Sequence, residues 1–171
     1  MDELGRRASE ISAVVQSLSH ELHSSKLEYL GLASAMKGFC KEFGGKHIVG
    51  IDFRSEGGPS DVAPEISLCL FRVMQKGLHN ALKHSGVKFF EVKLLGSPTE
   101  IRLTVQDSGK GFEPELAKDT PGLGLVSMQE RVRLVKGTIS ITSRPLSGTE
   151  INVRIPLQAG AQTELAKLAG A

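Results

Sequence analysis

The chain has 171 residues, of which 40% are hydrophobic and 23% are charged, a composition typical of a soluble globular protein. This length suits one domain with a helical appendage, or one domain plus a fragment of another. A net charge of +2 is too small to predict binding to nucleic acid or to an anionic membrane surface. Any phosphate chemistry must therefore come from the local placement of a few groups.

The two cysteines, Cys40 and Cys69, lie far apart in apolar, helix-like contexts and are expected to be reduced core thiols. No apolar run approaches the ~20 residues needed to span a bilayer. The N-terminus carries no signal-peptide h-region. We therefore expect a soluble, cytoplasmic chain, with any membrane attachment supplied by a longer parent protein.

Two helical patterns open the chain, over residues 9–24 and 26–43. The glycine pair Gly44-Gly45 is expected to end the second helix. Neither apolar stripe has a partner in its own segment, so each should pack on the following domain or on another chain. His20, beside Glu21, is either a phosphoacceptor or a surface residue, and the amphipathic pattern around it favours the surface residue.

A strand is predicted over residues 47–53, with Ile51 and Phe53 on one face. A turn-rich loop leads to a central helix over residues 62–85, with Ser60 or Asp61 as its N-cap. The apolar stripe of this helix is Leu70, Val73, Met74, Leu78, Ala81 and Leu82.

Polar residues cluster toward the end of the central helix, where they can face a ligand while the apolar stripe faces a core. They are Asn80, Lys83 and His84. Lys76 lies one turn before Asn80 on the same face.

The remaining pattern is a hairpin over residues 88–95 and 100–106, a helix over 123–135, and strands over 138–143 and 149–157. Residues 158–171 are expected to be frayed or to form a weak helix without an assigned partner. This order indicates an α+β sandwich in which a mostly antiparallel sheet is covered on one face by helices.

Two glycine clusters follow the central helix, one around Asp107, Gly109 and Gly111 and one around Gly122 and Gly124. The GxxxxGK[ST] phosphate loop is absent. A carboxylate at a strand end, as in Asp107, can accept a hydrogen bond from an exocyclic amine such as that of adenine. Glycines there allow backbone to approach a ring.

Groups suited to phosphates lie nearby. Asn80 offers an amide oxygen to a Mg²⁺ that bridges phosphates. Lys83 and the N-terminus of the helix near Gly122 supply positive potential. Each motif alone also fits a plain turn, a helix lead-in or a solvated amide, but their order together indicates a nucleotide pocket.

In this order the motifs resemble the ATP-binding catalytic domain of sensor histidine kinases, a branch of the gyrase, heat-shock-chaperone and kinase ATPase superfamily. Residues 70–85 resemble its Asn box, 107–112 its first glycine box and 122–128 its second. Residues 129–137 and 147–149 resemble the branch whose partner response regulators carry helix-turn-helix output domains. Residues 18–32 resemble the second dimerisation helix of that branch, and the whole resemblance covers about residues 12–157.

The resemblance implies a two-layer α/β sandwich with a mixed, mostly antiparallel sheet, preceded by N-terminal helices. It divides the chain into part of a dimerisation and phosphotransfer region (1–44), an ATP-binding catalytic domain (45–157) and a tail (158–171). ATP and Mg²⁺ are the implied cofactors, and the γ-phosphate goes to a histidine on a helix preceding residue 1. The implied partners are a helix-turn-helix response regulator and the dimerisation helices of a homodimeric parent, with no direct contact to nucleic acid.

The resemblance also implies residue roles. Asn80 would bind Mg²⁺, Asp107 the adenine amine, and Thr149 would lie near the base. The remaining cofactor-binding residues are Gly109 and Gly111 at the base, Gly122, Leu123, Gly124 and Leu125 at the phosphates, and Lys83 and His84 at the phosphates or ribose.

One residue departs from the family's pattern. The family usually has a Glu four residues before the Asn, and this chain has Lys76 at that position. A charged lysine cannot accept a proton but can pair with a phosphate, so we expect binding to survive better than turnover. The alternative function is a catalytically weakened, nucleotide-binding regulatory module. A related serine kinase acting on an anti-sigma antagonist is disfavoured by the sensor-like N-terminal helices, and by this resemblance His20 is not the acceptor.

Overall fold

The computed structural model describes residues 27–57, 62–113 and 123–157. Within them residues 27–30 are helical, and the helices that follow are α1 (Leu32–His47), α2 (Pro64–His84) and α3 (Leu123–Leu134). The strands are β1 (Gly50–Glu56), β2 (Phe89–Gly96), β3 (Glu100–Asp107), β4 (Thr138–Arg144) and β5 (Gly148–Pro156). The predicted helix over residues 9–24, His20 and the tail over 158–171 lie outside the described residues. None of the described helices has the length and apolar character needed to cross a membrane.

The five strands form one sheet in the order β1-β2-β3-β5-β4. β1 and β2 are parallel, and the three other neighbouring pairs are antiparallel. Parallel neighbours need a crossover connection, and α2 supplies it between β1 and β2. The predicted mixed, mostly antiparallel sheet is confirmed.

One face of the sheet is buried by the helices. Alternate residues of β2, β3 and β5 point to this face, and they are Phe90, Val92, Leu94, Ile101, Leu103, Val105, Ile151, Val153 and Ile155. Helix α2 comes very close at Gly77, where an added Cβ would lie 3.1 Å from Val105 Cγ1. The open face carries exposed ion pairs such as Arg54–Asp52. The result is the predicted two-layer sandwich.

Helix α2 buries most of the predicted apolar stripe, with Leu82 half-buried at its edge. A proline suits the first helical position because its missing N–H would be unpaired there anyway, and Pro64 begins this helix. Its N-cap is Ala63, which makes no side-chain cap bond. The expectation that Ser60 or Asp61 caps the helix is therefore wrong, and both residues lie outside the described ranges.

The N-terminal boundaries also differ from expectation. The predicted helix over 26–43 is interrupted at Gly31, whose φ is 76°, and α1 continues past Gly44-Gly45 to His47. The glycine pair therefore does not end the helix. The following strand consequently begins at Gly50, later than the predicted residue 47.

Both cysteines are buried and free, as expected of core thiols. Burial raises the pKa of Cys40 to about 12 and that of Cys69 to about 11. The Sγ atom of Cys40 lies 3.8 Å from the Sδ atom of Met74, so this thiol packs in the contact between α1 and α2.

Candidate nucleotide-binding site

A cavity of about 820 Å³ lies between α2, the ends of β3 and β5, and the first turn of α3. Most of the predicted site residues line it, namely Lys76, Asn80, Lys83, His84, Asp107, Gly111, Gly124, Leu125 and Thr149. Gly109 packs beside the cavity without lining it. Gly122 and the side chain of Leu123 lie outside the described part of the chain.

The cavity is elongated along α2. At one end, Ser85 after the last turn of α2 contacts Gly109, and at the other end Lys76 contacts Gly124. Nine residues of helix separate the two contacts, which at 1.5 Å per residue is roughly 13 Å. A cavity of this length suits an extended ligand with chemically different ends.

Asp107 ends β3 and is only 7% exposed. Its Oδ1 accepts a hydrogen bond from the Gly109 N–H at 2.9 Å. This bond fixes the carboxylate and turns the chain, while Oδ2 has no bonded partner among the described residues. Asp107 can therefore present one carboxylate oxygen to a donor in the cavity.

Ser143 was not singled out from the sequence, yet it joins three segments at this end of the cavity. Its Oγ donates to the Gly148 carbonyl and accepts from the Phe112 N–H, both at 2.9 Å. The same Oγ lies 3.0 Å from the hydroxyl oxygen of Thr149. The only sequence signal was the position of Ser143 in the inward-facing register of β4.

Glycines are required here because backbones come into contact. Gly111 has φ 58° and Gly148 has φ 81°. A Cβ at Gly111 would collide with the Arg144 carbonyl, and a Cβ at Gly148 with the Asp107 carbonyl. These contacts bring the Asp107 loop and the β4–β5 turn together into one wall, which we call the base end of the cavity (Asp107, Gly111, Ser143, Thr149).

The opposite end carries positive charge. The Lys76 side chain crosses Gly124 and occupies the space that a Cβ would fill, with its Nζ 3.1 Å from that position. Gly124 lies in the first turn of α3, where unpaired helix amides give positive potential. Half-buried Asn80 lies one turn from exposed Lys76 on α2. We call Lys76, Asn80 and Gly124 the cationic end of the cavity.

Arg72, one turn before Lys76, adds to this charge. Its Nη1 donates to the side-chain oxygen of Gln75 at 2.9 Å, while its Nε and Nη2 are buried without a hydrogen-bond partner. Burial, and then the positive charge of Arg131, lowers the pKa of the Arg72 guanidinium. Arg72 therefore places a second, partly buried positive charge one helical turn from Lys76.

The donor set gives Mg²⁺ one protein ligand. Asn80 supplies an amide oxygen, and the described lining contains a single carboxylate, Asp107, at the base end. No cluster of three or more His, Cys, Asp or Glu side chains occurs within the described residues. Mg²⁺ usually takes one or two carboxylates together with substrate phosphates and water, so these residues fit a metal carried mainly by phosphates.

The family model of the histidine kinase-, DNA gyrase B-, and HSP90-like ATPase matches residues 65–159. The chain is 32% identical over 145 residues to the signal transduction histidine-protein kinase/phosphatase DegS of Brevibacillus brevis, covering 85% of this chain and 37% of DegS. It is 34% identical over 143 residues to the oxygen sensor histidine kinase NreB of Staphylococcus carnosus (strain TM300), covering 84% of this chain and 41% of NreB. The chain thus spans about two fifths of these relatives.

Solved structures share the fold. A blue-light activated histidine kinase of Erythrobacter litoralis EL346 superposes with a TM-score of 0.61 at 21% identity, covering 88% of this chain and 51% of that one. The Acinetobacter baumannii histidine kinase AdeS gives a TM-score of 0.62 at 16% identity, covering 92% and 83%.

Proposed function

This chain belongs to the family of histidine kinase-, DNA gyrase B- and HSP90-like ATPases, and on that premise we propose that it is the ATP-binding catalytic domain of a two-component sensor histidine kinase. The observation that carries the proposal is the elongated cavity, which joins a buried carboxylate at one end to a cationic end at the other. ATP is complementary to both ends, because its adenine carries an amine that can donate to the carboxylate and its triphosphate carries negative charge that suits the cationic end.

At the base end, the free oxygen of Asp107 accepts a hydrogen bond from the adenine amine, and Thr149 contacts the ring. Gly109 and Gly111 keep this wall compact enough to hold the base. Lys83 and His84, exposed near the end of α2, lie alongside the ribose and phosphates.

At the cationic end, Lys76 and the α3 amides bind the terminal phosphates, and the Asn80 oxygen would hold a Mg²⁺ that arrives with them. Gly122, Leu123, Gly124 and Leu125 flank the same phosphates. When bound, Mg²⁺ would help to neutralise the charge of the transferring phosphoryl group.

The acceptor is a histidine on a dimerisation helix outside this chain. A neutral ring nitrogen attacks the γ-phosphorus, the N–P bond forms as the bond to the ADP oxygen breaks, and the proton on the other ring nitrogen passes to water. Lys76, while charged, cannot take that proton. The contribution of this chain is therefore to position and neutralise the phosphates.

The wider assembly follows from the same proposal. Residues 1–44 belong to the dimerisation and phosphotransfer region, 45–157 to the catalytic domain and 158–171 to a tail. The parent is a homodimer that acts from the cytoplasm and passes its phosphoryl group to a response regulator with a helix-turn-helix output domain.

Phosphotransfer in trans tests this proposal. The chain is mixed with γ-labelled ATP and a purified dimerisation domain that carries an acceptor histidine. We expect the unmodified chain to label the acceptor domain slowly and the Lys76→Glu variant to label it faster. The chain incubated without the acceptor domain should not become labelled. ATP binding without labelling, even with Lys76→Glu, would contradict the kinase and favour the weakened regulatory module.

A further inference from the structure

We propose that Lys76 replaces the bound metal as the main counter-charge of the terminal phosphates, so that this chain binds ATP almost independently of Mg²⁺. The inference rests on the proposed function, since it concerns the same nucleotide. It goes beyond that function by giving residue 76 a specific electrostatic role and by predicting how affinity depends on the metal.

The position of Lys76 carries the first step. Its ammonium already lies over Gly124 at the amide end of α3, with Nζ 3.1 Å from the place of a Gly124 Cβ. A cation next to the positive end of a helix is unfavourable unless an anion lies between them. The described residues give Lys76 no carboxylate partner. An incoming phosphate can therefore pair with the Lys76 ammonium and with the unpaired amides of α3 at the same time.

The second step concerns the metal. A glutamate at residue 76 would give Mg²⁺ a carboxylate one helical turn from Asn80. The lysine removes that ligand and adds a positive charge, so the formal charge at residue 76 changes by two units. Asn80 alone then remains as a protein ligand within the described lining.

The third step is the charge behind this end. Arg72 lies one turn from Lys76 on α2, and burial, followed by the positive charge of Arg131, lowers the pKa of its guanidinium. Two of the Arg72 nitrogens are buried without an acceptor. Neither arginine lines the cavity, but positive charge behind the cationic end disfavours an additional divalent cation there.

Calorimetric titration of ATP tests the inference, once with excess MgCl₂ and once with EDTA. For the unmodified chain we expect the two dissociation constants to differ by less than about threefold. Lys76→Glu should bind ATP with MgCl₂ and lose more than about tenfold in affinity with EDTA. For Lys76→Gln, the loss of affinity on replacing MgCl₂ by EDTA should lie between those of the unmodified chain and Lys76→Glu.

The control is Lys37→Glu, which makes the same charge change on an exposed face of α1 outside the cavity. It should keep the metal independence of the unmodified chain, and thermal unfolding of each variant verifies its fold. An unmodified chain that needs MgCl₂ as strongly as Lys76→Glu would overturn the inference while leaving ATP binding intact. An absence of binding in both buffers would instead overturn the proposed function, and this inference with it.

Discussion

The hydroxyl of Ser143 holds together parts of the chain that are distant in sequence. It contacts Phe112, Gly148 and Thr149 at 2.9–3.0 Å, while its own side chain is buried. A motif search cannot find such a residue, because its importance comes from strand register and from a loop 31 positions away.

Ser143→Ala should lower the free energy of unfolding by about 1–3 kcal/mol, because it leaves the Phe112 N–H without its acceptor. Ser140→Ala, at an exposed position of the same strand, should change it by less than about 0.5 kcal/mol. Urea denaturation measures both values. Equal effects of the two substitutions would show that the hydroxyl does not hold the wall together.

Gly111 combines a positive φ with backbone contact, so it tolerates no side chain. Gly111→Ala should cost at least about 2 kcal/mol in unfolding free energy. Gly38→Ala makes the same change inside α1, where a Cβ meets nothing within 4 Å, and should stabilise by up to about 1 kcal/mol. The melting temperature should therefore fall in Gly111→Ala and rise in Gly38→Ala. A shift of the same sign in both variants would contradict the packing described for Gly111.

The end of α1 shows why a glycine pair can mislead at the scale of an element. Gly44 is needed where the chain folds back over the helix, because a Cβ there would lie 2.9 Å from the Val49 carbonyl oxygen. The Val49 N–H donates to the Gly44 carbonyl at 3.1 Å, as in a Schellman ending. The left-handed residue is Ile48 instead of a glycine.

Ile48 has φ 55°, although its side chain is branched and 81% exposed. Ile48→Gly should therefore raise the free energy of unfolding by about 1 kcal/mol, since it removes the strain and loses little packing. Ile48→Ala keeps a Cβ and should gain much less. A greater stability for the alanine variant in chemical denaturation would argue against strain at this position.

The buried thiols of α1 and α2 should make the stability of the protein depend on pH in the alkaline range. The ordinary thiol pKa is 9.0, and burial raises it to about 12 for Cys40 and about 11 for Cys69. Above pH 9 the unfolded thiols lose protons that the folded thiols retain, so their ionisation favours unfolding. The contribution of the two thiols to stability is therefore fully present below pH 9 and is lost as the pH rises from 9 toward 11–12.

Urea denaturation at pH 7 and pH 10 should therefore show a loss of stability. The loss should be smaller in a Cys40→Ala, Cys69→Ala double variant, which retains the other groups that titrate in this range. An identical loss in both proteins would contradict the burial of the thiols.

For the whole molecule, the sequence predicted the type and order of the elements because hydrophobic period and glycine position report local structure directly. Asn80, Asp107, Gly111 and Gly124 were predicted to share a site, and the structure brings them around one cavity. Residues such as Ile141 and Gln106 enter the same cavity only through the pairing of distant strands. Single-sequence patterns do not contain that pairing.

The central claim is that this cavity binds ATP with adenine at Asp107, and calorimetric titration of Mg·ATP tests it most directly. One Asp107 oxygen is committed to the Gly109 N–H, so in Asp107→Asn the amide oxygen takes that place and the amide NH₂ faces the adenine amine. We predict at least about tenfold weaker binding for Asp107→Asn. Asp52→Asn, on the open face of β1, should bind as the unmodified chain does. Equal affinity of all three proteins, or no binding heat from the unmodified chain, would contradict the account.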